Sequence, residues 1–430
     1  MEQRRLEPVM KTLTNNTVLG EMLAPMVDAL DRVRYQPAVF RELKIEEFIS
    51  LGVLRHLQGV KTLREQVQKL FDLAPDETSR PPLARSTWSD ALRSRRRGQV
   101  LHDVVGVLEE KARSDLPDRL AAIPGLGDRF VCAIDGTYQQ ESAHYGRRTP
   151  RQGGDDNPKG HGLLTMCDVR RGCAVDSYVE TRNRHELHVL QDYEKDPRAW
   201  THKKNVLWLV DRGLISARLW DGKKRKLKST VITRMKSGLV VEHAEDRGVA
   251  AIPENRDVVR DETIALRSSP EPWRRVTFCN DAGEEIVFLT NELALEPGVI
   301  AFLYLRRWDV EKCFDMWKND FSQAKAWGKD PVAIQNQTYL AIITHLLLTM
   351  LIHEKAEPWG ISDEKALKKQ AIRNEEVAHR DGTAMWFMKV YRYTSKISRQ
   401  VLRFFKDCFL RQTSPELYDN KLKSLLEHYL

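Results

Sequence analysis

Tyr304-Leu305-Arg306-Arg307-Trp308-Asp309-Val310-Glu311, running on through Lys312 to Trp317-Lys318, carries two kinds of residue at helical spacing. At about 100° per residue, Tyr304, Arg307, Glu311 and Lys318 fall at about 0, 300, 340 and 320° on a helical wheel. Leu303, Val310, Phe314, Trp317 and Phe321 fall at about 220–280° on the same wheel. A phenol, two cations and a carboxylate therefore lie beside the stripe that should enter a core. A solvated helix face would put them opposite it.

Upstream, two short apolar runs each end in an acid. Phe130-Val131-Cys132-Ala133-Ile134-Asp135-Gly136-Thr137 reads as a buried strand that stops at Asp135 and turns. Asn205-Val206-Leu207-Trp208-Leu209-Val210-Asp211-Arg212-Gly213 repeats the arrangement. Acids at C-terminal strand ends sit where open α/β sheets build their sites.

The spacing Y-(2)-R-(3)-E-(6)-K resembles the signature of DDE transposases of insertion sequence family four. Val287-Phe288-Leu289-Thr290-Asn291 is similar to the strand-TN-helix junction of that family. The resemblance implies a catalytic triad of Asp135, Asp211 and Glu311, which are also the metal ligands. It implies that Tyr304, Arg307 and Lys318 hold the DNA phosphate. It further implies an α/β fold with an RNase H-like core, a β-rich insertion before the glutamate, and helical N- and C-terminal regions. The expected cofactor is Mg²⁺, or Mn²⁺ in its place. The expected partners are double-stranded DNA, as element ends and target, and a second copy of the chain in the synaptic complex. The expected reaction is cut-and-paste transposition from terminal inverted repeats. A domesticated DNA-binding protein, or a nuclease that cuts without joining, is the alternative.

The chemistry suits the residues. Strand cleavage and transfer are phosphoryl transfers, which two Mg²⁺ ions can assist at both attacking and leaving oxygens. Mg²⁺ prefers hard oxygen ligands. Arg grips phosphate as a fork and Lys as a point charge. For Arg307 and Lys318 the plain alternative is a salt-bridge row along the helix; Asp315 is placed to join it and Asp309 is not.

The chain has 430 residues, of which 41% are hydrophobic, so it can bury sizeable cores. Lys and Arg number 69 against 61 acids, a net charge of +8 that is compatible with a polyanion. Basic clusters occur at Arg93-Ser94-Arg95-Arg96-Arg97, Arg147-Arg148 and Lys223-Lys224-Arg225-Lys226-Leu227-Lys228. Six scattered cysteines form no Cys-x-x-Cys pair, which fits a reducing cytoplasm. No apolar signal core follows Met1-Glu2-Gln3-Arg4-Arg5. The apolar stretch Tyr339 to Ile352 is too short for a bilayer and reads as a buried helix. The absence of a Gly-x-x-x-x-Gly-Lys loop speaks against a nucleotide cofactor.

Along the chain, 1–124 reads as a helical DNA-binding region. A capped helix from Thr87 runs into Arg93, Arg95, Arg96 and Arg97; it is either a DNA-facing edge or an ordinary solvated helix, and the resemblance favours DNA. Residues 125–235 and 296–355 form the two parts of the core, with a hairpin turning near Arg170-Arg171-Gly172 and a helix from Arg184 to about Tyr193. Residues 236–295 are the insertion, with alternation in Val258 to Arg267, Arg274 to Cys279 and Glu285 to Thr290. Residues 356–430 read as a basic helical tail. His185-Glu186-Leu187-His188 is one position short of a zinc-protease motif and is read as a helix start. His161 is read as a turn residue. Trp273, in Glu271-Pro272-Trp273-Arg274-Arg275, has two readings of equal standing. By the resemblance it is a wedge for an extruded base, with Arg274 and Arg275 on phosphates; otherwise it packs inside the insertion.

Overall fold

The computed structural model describes residues 10, 17–40, 42–60, 62–72, 83–140, 160–180, 184–280, 283–356, 358, 420–421 and 423–424. Arg147, Arg148 and nearly all of the basic tail lie outside these. The helices that come first are α1 (Thr17–Arg32), α2 (Ile45–Leu57), α3 (Leu63–Asp72), α4 (Arg85–Leu92) and α5 (Arg95–Asp115) among the described residues. Next come β1 (Phe130–Gln140), β2 (Gly160–Asp168), β3 (Cys173–Glu180), α6 (Glu186–Tyr193), β4 (Val206–Val210), α7 (Ala217–Leu227) and β5 (Thr230–Arg234). Then follow β6 (Val241–Asp246), β7 (Val258–Leu266), β8 (Pro272–Cys279) and β9 (Glu285–Thr290). The described core closes with α8 (Pro297–Leu305), a 3₁₀ turn (Arg306–Trp308), α9 (Asp309–Asn319) and α10 (Pro331–Ala356).

Among the described residues the strands form one nine-stranded sheet, ordered β3-β2-β1-β4-β5-β9-β8-β7-β6. β1, β2 and β3 are antiparallel neighbours, while β1, β4 and β5 run parallel. That is the RNase H-like arrangement. The runs Val131–Ile134 and Val206–Val210 are apolar at every position because both faces are covered. Val131, Ala133, Leu207 and Leu209 join the core shared with the N-terminal helices, α8, α9 and α10. Cys132, Ile134, Val206, Trp208 and Val210 join the opposite core, with α6 and α7. The β2–β3 turn uses Gly172 at φ 68°, where a β-carbon would also lie 1.9 Å from Arg119 Nη1.

The stretch after Met235 adds four antiparallel strands, β6 to β9, and β9 pairs with β5 through Ile232↔Thr290. It thus extends the core sheet rather than standing apart from it. β6, which is mostly exposed, was not foreshadowed by alternation. The Thr-Asn junction is a tie-point. Thr290 Oγ1 donates to the Val231 carbonyl at 2.6 Å, and the Val231 amide donates to Asn291 Oδ1 at 2.8 Å. Asn291 Nδ2 donates to the Trp220 carbonyl at 3.3 Å, joining α7 to the same corner.

α10 is buried along most of its length and packs against α1, α2, α5 and β3. The N-terminal helices therefore share one hydrophobic core with the α8–α10 side of the sheet. No helix among the described residues is long and apolar enough to cross a membrane.

Candidate active site

The parallel register Ile134↔Val210 is the last pair of the β1–β4 ladder, so Asp135 and Asp211 follow side by side. Asp211 caps the 3₁₀ turn Arg212–Leu214, its Oδ2 accepting from the Gly213 amide at 3.4 Å. Asp135 departs from the sequence reading, because β1 does not stop there. It continues to Gln140, paired with β2 through Asp135↔Thr165 and beyond, so the strand outruns β4 but not β2. Asp135 Oδ1 accepts from the Gly136 amide at 2.8 Å.

The Tyr304–Lys318 stretch also differs from a single helix. The 3₁₀ turn Arg306–Trp308 separates α8 from α9, and the wheel angles hold only within each piece. The four signature residues still converge. Arg307 is buried and donates from Nη1 to Asp135 Oδ2 at 2.5 Å, while its Nη2 lies 3.6 Å from Glu311 Oε1. Tyr304 is buried beside it, its ring centroid 5.9 Å from the guanidinium carbon of Arg307. Lys318 Nζ donates to Thr137 Oγ1 at 2.5 Å, two residues beyond Asp135. Cations from the helix thus reach across to β1. Asp309 instead pairs with Lys312 at 2.9 Å.

The electrostatics are those of crowded acids. Burial raises the Asp135 carboxyl, with Asp211 adding to the shift and Arg307 opposing it. Burial likewise raises Glu311, again with Arg307 opposing. Burial works against the Arg307 cation, but Asp135, Tyr304 and Asp211 outweigh it and hold that group above its ordinary value. Burial also raises the Tyr304 phenol.

A fourth acid, Glu186, stands in the same field. Burial raises its carboxyl, and Asp135 and Asp211 push it further in that direction. No motif in the sequence marks Glu186, which lies between two more conspicuous histidines. Those are exposed: His185 caps α6 and His188 bonds Gln191. The available signal was an acid opening the helix after β3, on the side of the sheet where the strands end. His161 is buried within β2 rather than in a turn.

The donor set is all carboxylate, the hard oxygen chemistry that a divalent cation takes. Among the described residues no three such side chains close on one point. Arg307 supplies the positive charge between Asp135 and Glu311. The residues thus fit such an ion in kind.

Trp273, Arg274, Arg275 and Arg97 depart from their DNA-facing readings. Trp273 is 0% exposed, belongs to the same core as Trp208 and Trp220, and donates from Nε1 to Asp221 Oδ1 at 3.1 Å. Its ring is not offered to DNA. Arg274, 2% exposed, is committed to Asp261 through bonds of 2.7 Å, and Arg275 to Glu262. Arg97 is 5% exposed; its guanidinium bonds the Leu43 carbonyl and lies over the rings of Phe40 and Phe48. It is a core residue, and burial pulls it down to about 10. Arg93, Arg95 and Arg96 remain exposed. They do not end a helix: α4 stops at Leu92, and Ser94 caps α5, its Oγ accepting from the Arg97 amide at 3.3 Å.

This sheet order, with two acids just past the last pair of the parallel β1–β4 ladder, defines an RNase H-like domain. Residues 127–347, just over half of the chain, match the transposase DDE domain family, and the chain belongs to that family. It is 28% identical over 152 residues to "Putative transposase y4zB" of Sinorhizobium fredii (strain NBRC 101917 / NGR234), a match spanning 34% of this chain and 42% of that protein. The cryo-EM structure of the piggyBac transposase synaptic complex with hairpin DNA aligns with 98% of this chain and 85% of its own, at 13% identity and a TM-score of 0.40.

Proposed function

We propose that this chain is a cut-and-paste transposase of the insertion sequence family four kind, acting on the terminal inverted repeats of its own element. The observation that carries this reading is the juxtaposition of Asp135 and Asp211, side by side where the β1–β4 ladder ends, with Arg307 and Glu311 of the signature stretch. In this reading Asp135, Asp211 and Glu311 hold Mg²⁺ or Mn²⁺, which when bound activates the attacking oxygen and stabilises the leaving one. Arg307 turns its fork from Asp135 to the scissile phosphate, and the exchange of one anion for another keeps the guanidinium paired. Tyr304 supports that guanidinium. Lys318, beside Thr137, adds a point charge along the strand.

Arg95 and Arg96 stand in the first turn of α5, where the helix dipole disfavours cations. A DNA backbone laid there would offset that penalty. Joining two ends calls for two copies in the synaptic complex, in the cytoplasm where the element resides.

The test uses a labelled element end with Mg²⁺. Asp135→Ala, Asp211→Ala and Glu311→Ala should each abolish cleavage and leave end binding in a gel shift nearly intact. Normal cleavage by any one of them removes that residue from the triad.

A further inference from the structure

Glu186 is the acid beside Asp135 and Asp211 to which the signature assigns nothing. It opens α6, whose Val189 and Leu190 pack on the face of the sheet opposite α8 and α9. Its carboxylate nevertheless reaches the strand ends. A β-carbon at position 136 would lie 2.2 Å from Glu186 Oε1, and one at position 213 would lie 3.7 Å from Oε2. Gly136 follows Asp135 directly, and Gly213 donates its amide to Asp211. The missing side chain at 136 is therefore the opening through which Glu186 enters. Any larger residue there would occupy its place.

The position is unfavourable for an isolated carboxylate. Among the described residues no hydrogen bond or ion pair reaches the Glu186 carboxylate. Its strongest charged neighbours are Asp135 and Asp211, and the opposing cation, Arg307, is committed to Asp135 and Glu311. From the start of a surface helix the side chain had water available. A third negative charge beside Asp135 and Asp211, with no donor to it among the described residues, destabilises the metal-free state, and a divalent cation among the three reverses the sign of that interaction.

We propose that Glu186 is a fourth acid of the catalytic site, reaching in from the face of the sheet opposite Glu311 and sharing a divalent cation with Asp135 and Asp211. The inference rests on the metal-dependent reading above. Glu311 then closes one side of the aspartate pair and Glu186 the other. Two Mg²⁺ ions need more oxygens than three acids supply, with waters and phosphate making up the remainder.

The experiment is Mn²⁺ binding by the full chain without DNA, followed by the loss of the free-ion electron paramagnetic resonance signal, with thermal melts in its presence and absence. Glu186→Gln keeps the shape and removes the charge. It should melt at or above the wild-type temperature without metal. It should bind Mn²⁺ about 10–100-fold more weakly, or lose one of two ions, and forfeit most of the Mn²⁺-induced rise in melting temperature. Glu186→Asp should recover part of that rise. Wild-type Mn²⁺ number and affinity in Glu186→Gln would overturn the proposal. So would metal-free melting well below wild type in both variants, the mark of a merely structural residue. Asp135→Asn and Asp211→Asn serve as the reference. If they bind Mn²⁺ normally, the metal-dependent reading itself fails; if they lose it and Glu186→Gln does not, only the role of Glu186 falls.

Discussion

Removing the Arg307 guanidinium tests the site through two separable readouts. Arg307 and Asp135 form an ion pair with side chains 8% and 15% exposed, whereas Glu311 is 42% exposed. The Glu311 contact, at 3.6 Å and open to water, contributes little, about 0–1 kcal/mol. The Asp135 contact is a largely buried charged hydrogen bond, worth about 1.5–3 kcal/mol. Arg307→Ala should therefore lower metal-free stability by roughly 2–4 kcal/mol. At about 2.1 cal/mol/K per residue over roughly 300 cooperatively melting residues, that is roughly 3–6 °C in Tm. A double-mutant cycle with Asp135→Ala should return a coupling of about 1.5–3 kcal/mol. Mn²⁺ should offset much of the loss, since it supplies the charge Asp135 has lost. If the fork also grips phosphate only in the transition state, single-turnover cleavage should fall about 10–100-fold while Mn²⁺ affinity holds or rises. A wild-type metal-free Tm with zero coupling would refute the Arg307–Asp135 contact. A wild-type cleavage rate would refute the clamp.

Replacing Arg93, Arg95 and Arg96 together with Gln should flatten the log–log salt dependence of DNA binding by about 2–3, near 0.9 for each lost phosphate contact; an unchanged slope means α5 does not face DNA. Trp273→Ala should cost about 3–5 kcal/mol in denaturant unfolding, because it empties a fully buried site and removes the hydrogen bond to Asp221 Oδ1. Stability within about 1 kcal/mol of wild type, together with a specific block late in DNA processing, would restore the wedge reading. His345 should make the protein acid-sensitive. Burial pulls its imidazole down to about 4, so as pH falls below the ordinary value of about 6.5 the unfolded chain takes up a proton that the folded chain refuses. This contribution is fully present above about pH 6.5 and is lost as pH falls towards 4, on the order of 3 kcal/mol in all. His345→Leu should flatten that part of the stability profile; superimposable profiles between pH 7 and 4 would refute it.

The elements that the sequence reading recovered are those whose signal is local. Val131–Ile134 and Val206–Val210 are apolar at each step, and only a strand covered on both faces needs that. The Arg171-Gly172 turn and the 14-residue apolar run within α10 are likewise written in neighbouring residues. The signature spacing survived the 3₁₀ interruption because three or four residues still make about one turn in either helix type.

What the sequence could not carry depends on partners distant along the chain. Trp273 and Arg97 have side chains that suit either a nucleic acid or a core. Asp221 and Ser269 on one side, and Leu43, Phe40 and Phe48 on the other, put both inside. Asp135 looked like a strand end because Gly136 follows it, yet β2 on its far side keeps the ladder going. Glu186 carried only the weak signal of an acid opening a helix. It comes close to Asp135 and Asp211 because Gly136 leaves room for it on a sheet whose register sets those two acids side by side. Periodicity along a chain reports that a residue is buried or turned. Which element covers it, and which charge it meets there, is decided by packing between segments far apart in sequence.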